Sequence, residues 1–143
     1  MRQQLTEEER HALVVYRLER AHETMKEIPS HIESGYYATA INRLYYACYY
    51  AAVALLVSEG LQTATYNGVK TLLGLHFVHT GKLENRHGKT FSTLYDLRQS
   101  GDYDDFVYCD KEMADEYYLK AQAFLEAVEE LIYNSESKWH PNG

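Results

Sequence analysis

Residues 35–60 read GYYATAINRLYYACYYAAVALLVSEG. Between Glu33 and Glu59 the only charged side chain is Arg43, and tyrosine, alanine and leucine make up most of the rest. A helix apolar on every side belongs in the middle of a bundle, because it has no face suited to water. The one arginine inside it needs a partner, since an unpaired buried charge is costly. The stripe Tyr37, Ile41, Leu44, Cys48, Ala51 and Leu55 is its main packing face, and Gly60 is a suitable stop.

Working outward, Thr6 with Glu9 has the spacing of a capping box that starts a helix. Val14, Leu18, Ala21, Met25 and Ile28 then recur at steps of three and four, so they share a face. Pro29 is expected to end this first helix, and Ser30 with Glu33 to cap the start of the long one. A short third helix is expected over about Asn67 to His79, followed by Gly81. A fourth should run from about Glu84 to Ser100, stopped by Gly101. Residues 101–109 (GDYDDFVYC) read as an acidic loop. Asp110 can cap a fifth helix to about Asn134, with the stripe Ala114, Tyr117, Ala121, Phe124, Val128 and Leu131. No run of strand-like alternation and no internal repeat appears. The expected fold is all-α, an up-and-down bundle of four main helices plus a short one. Residues 1–134 form its single domain and 135–143 a flexible tail.

The chain has 143 residues, 45% apolar and 24% charged, the balance of a soluble globular protein. Its net charge of −7 disfavours nucleic-acid binding by the molecule as a whole, though a local basic patch can still hold phosphate. Lys70, Lys82, Arg86 and Lys89 against Glu84 make such a patch between Tyr66 and Phe91. The fifth helix, by contrast, is acidic. Cys48 and Cys109 lack metal-ligand spacing and read as free thiols in a reducing compartment. The polar N-terminus is no signal peptide, and Asn42 and Arg43 make the longest apolar run a poor membrane span. A cytoplasmic protein without membrane contact is expected.

Fourteen tyrosines are an unusual number. Tyrosine joins a large ring to a hydroxyl that seeks a partner, which suits polar-edged cores and interfaces. Tyr45, Tyr46, Tyr49 and Tyr50 cover much of the central helix, most of them as core or dimer-interface residues. Arg98 lies on the fourth helix's inward stripe with Phe91 and Leu94, in the expected last turn, where the helix dipole favours a cation. Two arginines on apolar faces offer rigid donor forks for phosphate or carboxylate. Residue types alone favour each simply pairing with a carboxylate or capping carbonyls, Asp96, Asp102, Asp104 and Asp105 being at hand. If the second and fourth helices are neighbours, Thr39, Arg43, Tyr46 and Tyr50 line a cleft with Arg98, Asp102 and Tyr103. His76, His79 and His87 suggest a metal at first sight, but zinc sites commonly add cysteine or carboxylate ligands in a defined geometry. No metal and no cofactor is expected. His76 shares the stripe Val69, Leu72, Leu73, which places it toward the core or the site.

Three strings in order, NRLYYACYYAA, GLHFVHTGKL and LYDLRQSGDY, resemble the HEPN domain, more narrowly its small prokaryotic UPF0332 type. The resemblance spans about Ser30 to Ile132. It implies a helical bundle, usually a homodimer, often encoded beside a minimal nucleotidyltransferase, with members that are toxins, ribonucleases or nucleotide binders. The ribonuclease members carry arginine, four to six further residues, then histidine. Arg98 matches the arginine, but Tyr103, Asp104 and Asp105 stand where the histidine would fall. Histidine shuttles protons with a pKa of about 6.5, whereas tyrosine titrates near 10. The departure makes ribonuclease activity doubtful and leaves catalytic residues unassigned. What the resemblance implies is a nucleotide- or RNA-binding HEPN component of a toxin–antitoxin-like pair. Arg43 and Arg98 would hold phosphate, Tyr46 and Tyr103 would stack or donate, and Asp102 would orient an arginine. The alternatives are a ribonuclease toxin using Arg98 with Tyr103 or Asp102, and a structural adaptor whose arginines are internal ion pairs.

Overall fold

The computed structural model describes residues 5–103 and 109–134, with the backbone alone for 99–103. Five α-helices follow in order: α1 (Glu7–Glu33), α2 (Tyr37–Ser58), α3 (Tyr66–Leu73), α4 (Asn85–Tyr103) and α5 (Lys111–Asn134). A π-helical turn, Gly74–Val78, continues α3. No strand occurs among the described residues, and the fold is an all-α helical bundle. Of the loop expected over 101–109, residues 104–108 lie outside the described residues, as does the tail 135–143.

α2 is the central helix. It packs on α1, α3, α4 and α5, and its whole predicted stripe from Ile41 to Leu55 is buried. By length and composition α2 could cross a membrane, but 67% of its apolar window is buried inside the bundle, as for the core helix of a soluble fold. Alanines 40, 47, 51, 52 and 54 are fully buried and let neighbouring backbones approach closely. Phe91 and Phe124 fill the space between α4 and α5, nearly parallel with centroids 5.9 Å apart. His22 Nε2 on α1 meets Glu129 Oε1 on α5 at 2.5 Å.

The turn of the α1–α2 hairpin and the end of α2 are each set by a glycine. At Gly35 (φ +83°) the Gly35 N–H donates to Ile32 O and the Tyr36 N–H to His31 O. At Gly60 (φ +77°) the Gly60 N–H donates to Val57 O and the Leu61 N–H to Leu56 O. These are Schellman closures, which satisfy the last carbonyls of a helix by turning one residue left-handed. The Thr6–Glu9 capping box is present in both directions, and Asp110 Oδ1 accepts from the Met113 N–H at 2.8 Å to cap α5.

Three expectations need correction. Pro29 does not end α1, which runs on to Glu33. The proline sits on the exposed side, where water can take the carbonyl it leaves unbonded. Accordingly α2 starts at Tyr37, with no side-chain cap, and Ser30 with Glu33 caps nothing. α4 passes through Gly101 to Tyr103, because a glycine stops a helix only where the chain takes another conformation. Arg98 is therefore more than a turn from the helix end, and the dipole, felt within the last turn, is no longer its reason to be there.

Candidate functional site

The α2–α4 contact on which the expected cleft depends is present. Arg43 leaves α2 toward α1: its Nε donates to Glu27 Oε1 at 2.7 Å and its Nη2 to Thr24 Oγ1 at 3.5 Å. Its partner is thus none of the four aspartates considered. Glu27 is in reach because α1 continues past Pro29 and the turn at Gly35 folds α2 back on it. The Arg43 side chain is 30% exposed, so this is a half-open ion pair rather than a buried charge. Its guanidinium also lies 6.0 Å from the Tyr46 ring centre.

Arg98 approaches from α4 and stands over two rings, 5.3 Å from Tyr45 and 5.2 Å from Tyr95. Tyr45 and Tyr46 meet edge to face at 5.0 Å. Arg43 and Arg98 are therefore joined through one pair of rings, Arg43 on the Tyr46 side and Arg98 on the Tyr45 side. The ladder extends further than the sequence suggested. Tyr95 lies flat on Tyr66, 3.6 Å apart with planes 4° off parallel. At the other end Arg20 donates from Nη2 to the Tyr50 hydroxyl at 3.1 Å and covers its ring at 5.0 Å. Arg20, Tyr66 and Tyr95 were missed. Tyr95 had a local signal, one helical turn before Arg98; Arg20 and Tyr66 reach the face only through tertiary packing. Asp102 and Tyr103 stand in the last turn of α4, but their side chains lie outside the described residues, as do Asp104 and Asp105.

The face carries three guanidinium groups, of which Arg43 is paired with Glu27. Burial pushes the Tyr45 hydroxyl well above its usual pKa, against the opposing pull of Arg98. Burial, helped by Asp96 and Tyr95, raises Tyr66 to about 12. Both therefore keep their protons near pH 7. The Arg20 guanidinium is held still more firmly charged by its bond to Tyr50. The face offers fixed positive charge, hydroxyl donors and ring planes: the means to bind an anion beside a flat base. Neither Tyr45 nor Tyr66 can pass a proton to and fro at neutral pH.

The histidines lie elsewhere. His76 and His79 are exposed. The wide π-turn swings Phe77 into the core in place of His76, overturning the inward placement of that histidine. His87 is buried, edge-on to Phe124 at 6.2 Å. Among the described residues no three His, Cys, Asp or Glu side chains are grouped to hold a metal.

Fold and site together define a class: an all-helical bundle whose central helix carries an arginine–tyrosine face against a neighbouring helix. The HEPN domain family model matches residues 14–131, and the chain belongs to that family. It is similar to a UPF0332 protein of Thermotoga maritima, 32% identical over 87% of this chain and 94% of the relative. A protein of Methanocaldococcus jannaschii named "Putative toxin" is 30% identical over 80% of this chain and 85% of its own. A UPF0332 protein of Archaeoglobus fulgidus is 24% identical over 81% and 92%.

Proposed function

We propose that this chain is a nucleotide- or RNA-binding HEPN protein, the HEPN component of a toxin–antitoxin-like pair with a minimal nucleotidyltransferase. The observation that carries the binding proposal is Arg98 set over the rings of Tyr45 and Tyr95 on the α2–α4 face. Phosphate is held by Arg98 and Arg43, and a base stacks beside Tyr46; Asp102 and Tyr103 complete the site from the end of α4. Arginine–phosphate contacts and base–aromatic stacking are the two forces by which single-stranded nucleic acid is held without a basic protein surface overall. The pairing with a nucleotidyltransferase rests on the family resemblance, supported by the toxin names of relatives from M. jannaschii. The setting is a cytoplasm that keeps Cys48 and Cys109 reduced, and the working unit is a homodimer.

The test is fluorescence anisotropy of a labelled oligoribonucleotide at two salt concentrations. Saturable binding that weakens about tenfold in Arg43→Ala, with wild-type circular dichroism retained, is expected. Salt-insensitive binding unaffected by the substitution would contradict the proposal. The toxin-named relatives favour a second reading, a ribonuclease using Arg98 with Tyr103. RNA cleavage by the pure protein that disappears in Arg98→Ala would establish it, and uncleaved RNA would end it.

A further inference from the structure

On another face of the molecule α4 and α5 part to leave an open groove of about 290 Å³. Arg86, His87 and Lys89 line it from the start of α4, with Thr93 one turn on, and Tyr117 and Lys120 close it from α5. The lining contains three cations and no carboxylate, in a chain of net charge −7. Two of these cations already have acidic partners. Arg86 meets Glu84 at 3.2 Å and Lys120 meets Glu116 at 2.8 Å. Both pairs are solvent-exposed and therefore weak, leaving their cations available to a stronger anion. Lys89 makes no ion pair among the described residues.

The neutral groups also fit an acceptor-rich ligand. Thr90 spends its hydroxyl proton on Arg86 O at 3.0 Å. Thr93 and Tyr117 remain as hydroxyl donors in the groove. His87 is buried at its floor, where it presents a small polar ring rather than a further fixed charge. Cations from two helices converging on one concavity, with hydroxyls between them, match the tetrahedral array of acceptors on phosphate.

We propose that the α4–α5 groove binds a phosphate group, carried by a nucleotide or by an RNA strand. It does so independently of the Arg98 face and does not rest on it. Amide chemical shifts on the full chain test this, titrating inorganic pyrophosphate, ATP and a short oligoribonucleotide in turn. Saturable shifts are expected at residues 86–93 and 117–121. They should weaken about tenfold or more in Lys89→Glu/Lys120→Glu, whose substitutions are both at exposed positions. They should persist in Arg98→Ala. Tighter binding of the oligonucleotide than of ATP or pyrophosphate would identify the strand as the source, and the reverse order the free ligand; either ranking supports the site. Absence of shifts at these amides with all three probes would overturn it. So would equal affinity in the double variant, or shifts lost in Arg98→Ala but kept in the double variant.

Discussion

Arg43 shows how much a single residue discloses. Its isolation among apolar neighbours announced that it had a partner, but not which one. Glu27 lies sixteen residues earlier, and only the closure of the α1–α2 hairpin brings it near. His87 is a different case: the sequence sets it among three histidines, and the fold buries it while leaving His76 and His79 exposed. Burial, with Arg86 adding to it, lowers its pKa from the ordinary value. A histidine whose folded pKa is depressed takes up protons more readily when unfolded. Its stabilising contribution is complete above the unfolded pKa of about 6.5 and is lost as pH falls from there toward the folded value. Urea unfolding between pH 7.5 and 5 should therefore show stability declining below about pH 6.5, with a shallower decline in His87→Gln. Equal slopes for the two proteins would remove His87 from the acid response.

At the scale of the element, periodicity located all five helices, and the errors lie at their ends. A hydrophobic stripe reports burial, which a sequence displays directly. A helix end is decided by a contest between local preference and packing. Proline in a helix interior costs about 3 kcal/mol. Ile28 and Ile32 flank Pro29 on the buried face, and each returns roughly 1.5–3 kcal/mol on burial, enough to carry α1 through. The actual stop is Gly35, in the left-handed conformation that a side chain makes unfavourable. Gly35→Ala should destabilise the fold by about 1–2 kcal/mol with its helix content unchanged, read from the urea midpoint at constant slope. An unchanged midpoint would mean that the Schellman closure is not what fixes the hairpin. The π-turn at Gly74–Val78 had no legible signal, since its extra residue per turn merely shifts which of His76 and Phe77 meets the core.

For the whole molecule, the sequence made the bundle plain because one helix, α2, is too apolar to lie anywhere but its centre. It made the site plain only in part. Arg43, Tyr46 and Arg98 were visible as exceptions to an apolar pattern, whereas Arg20, Tyr66 and Tyr95 join them through contacts between distant segments. Large apolar side chains such as Tyr16, Tyr36 and Leu119 remain more than half exposed in the single chain, an arrangement suited to association. Sedimentation equilibrium should give twice the 16.6 kDa chain mass, and a mass independent of concentration at one chain would refute the homodimer. We propose the Arg98 face as the site that binds the phosphates of nucleotides or RNA. A hydrogen bond to a charged group is worth about 1.5–3 kcal/mol, so losing Arg98 should weaken binding roughly tenfold to a hundredfold by that same measure. The direct measurement is calorimetric titration of ATP and a short oligoribonucleotide into the wild type and Arg98→Ala. Saturable binding to the wild type is expected, falling by that factor in a variant that circular dichroism shows to be still folded. No heat with either ligand, or equal affinity in both proteins, would contradict it.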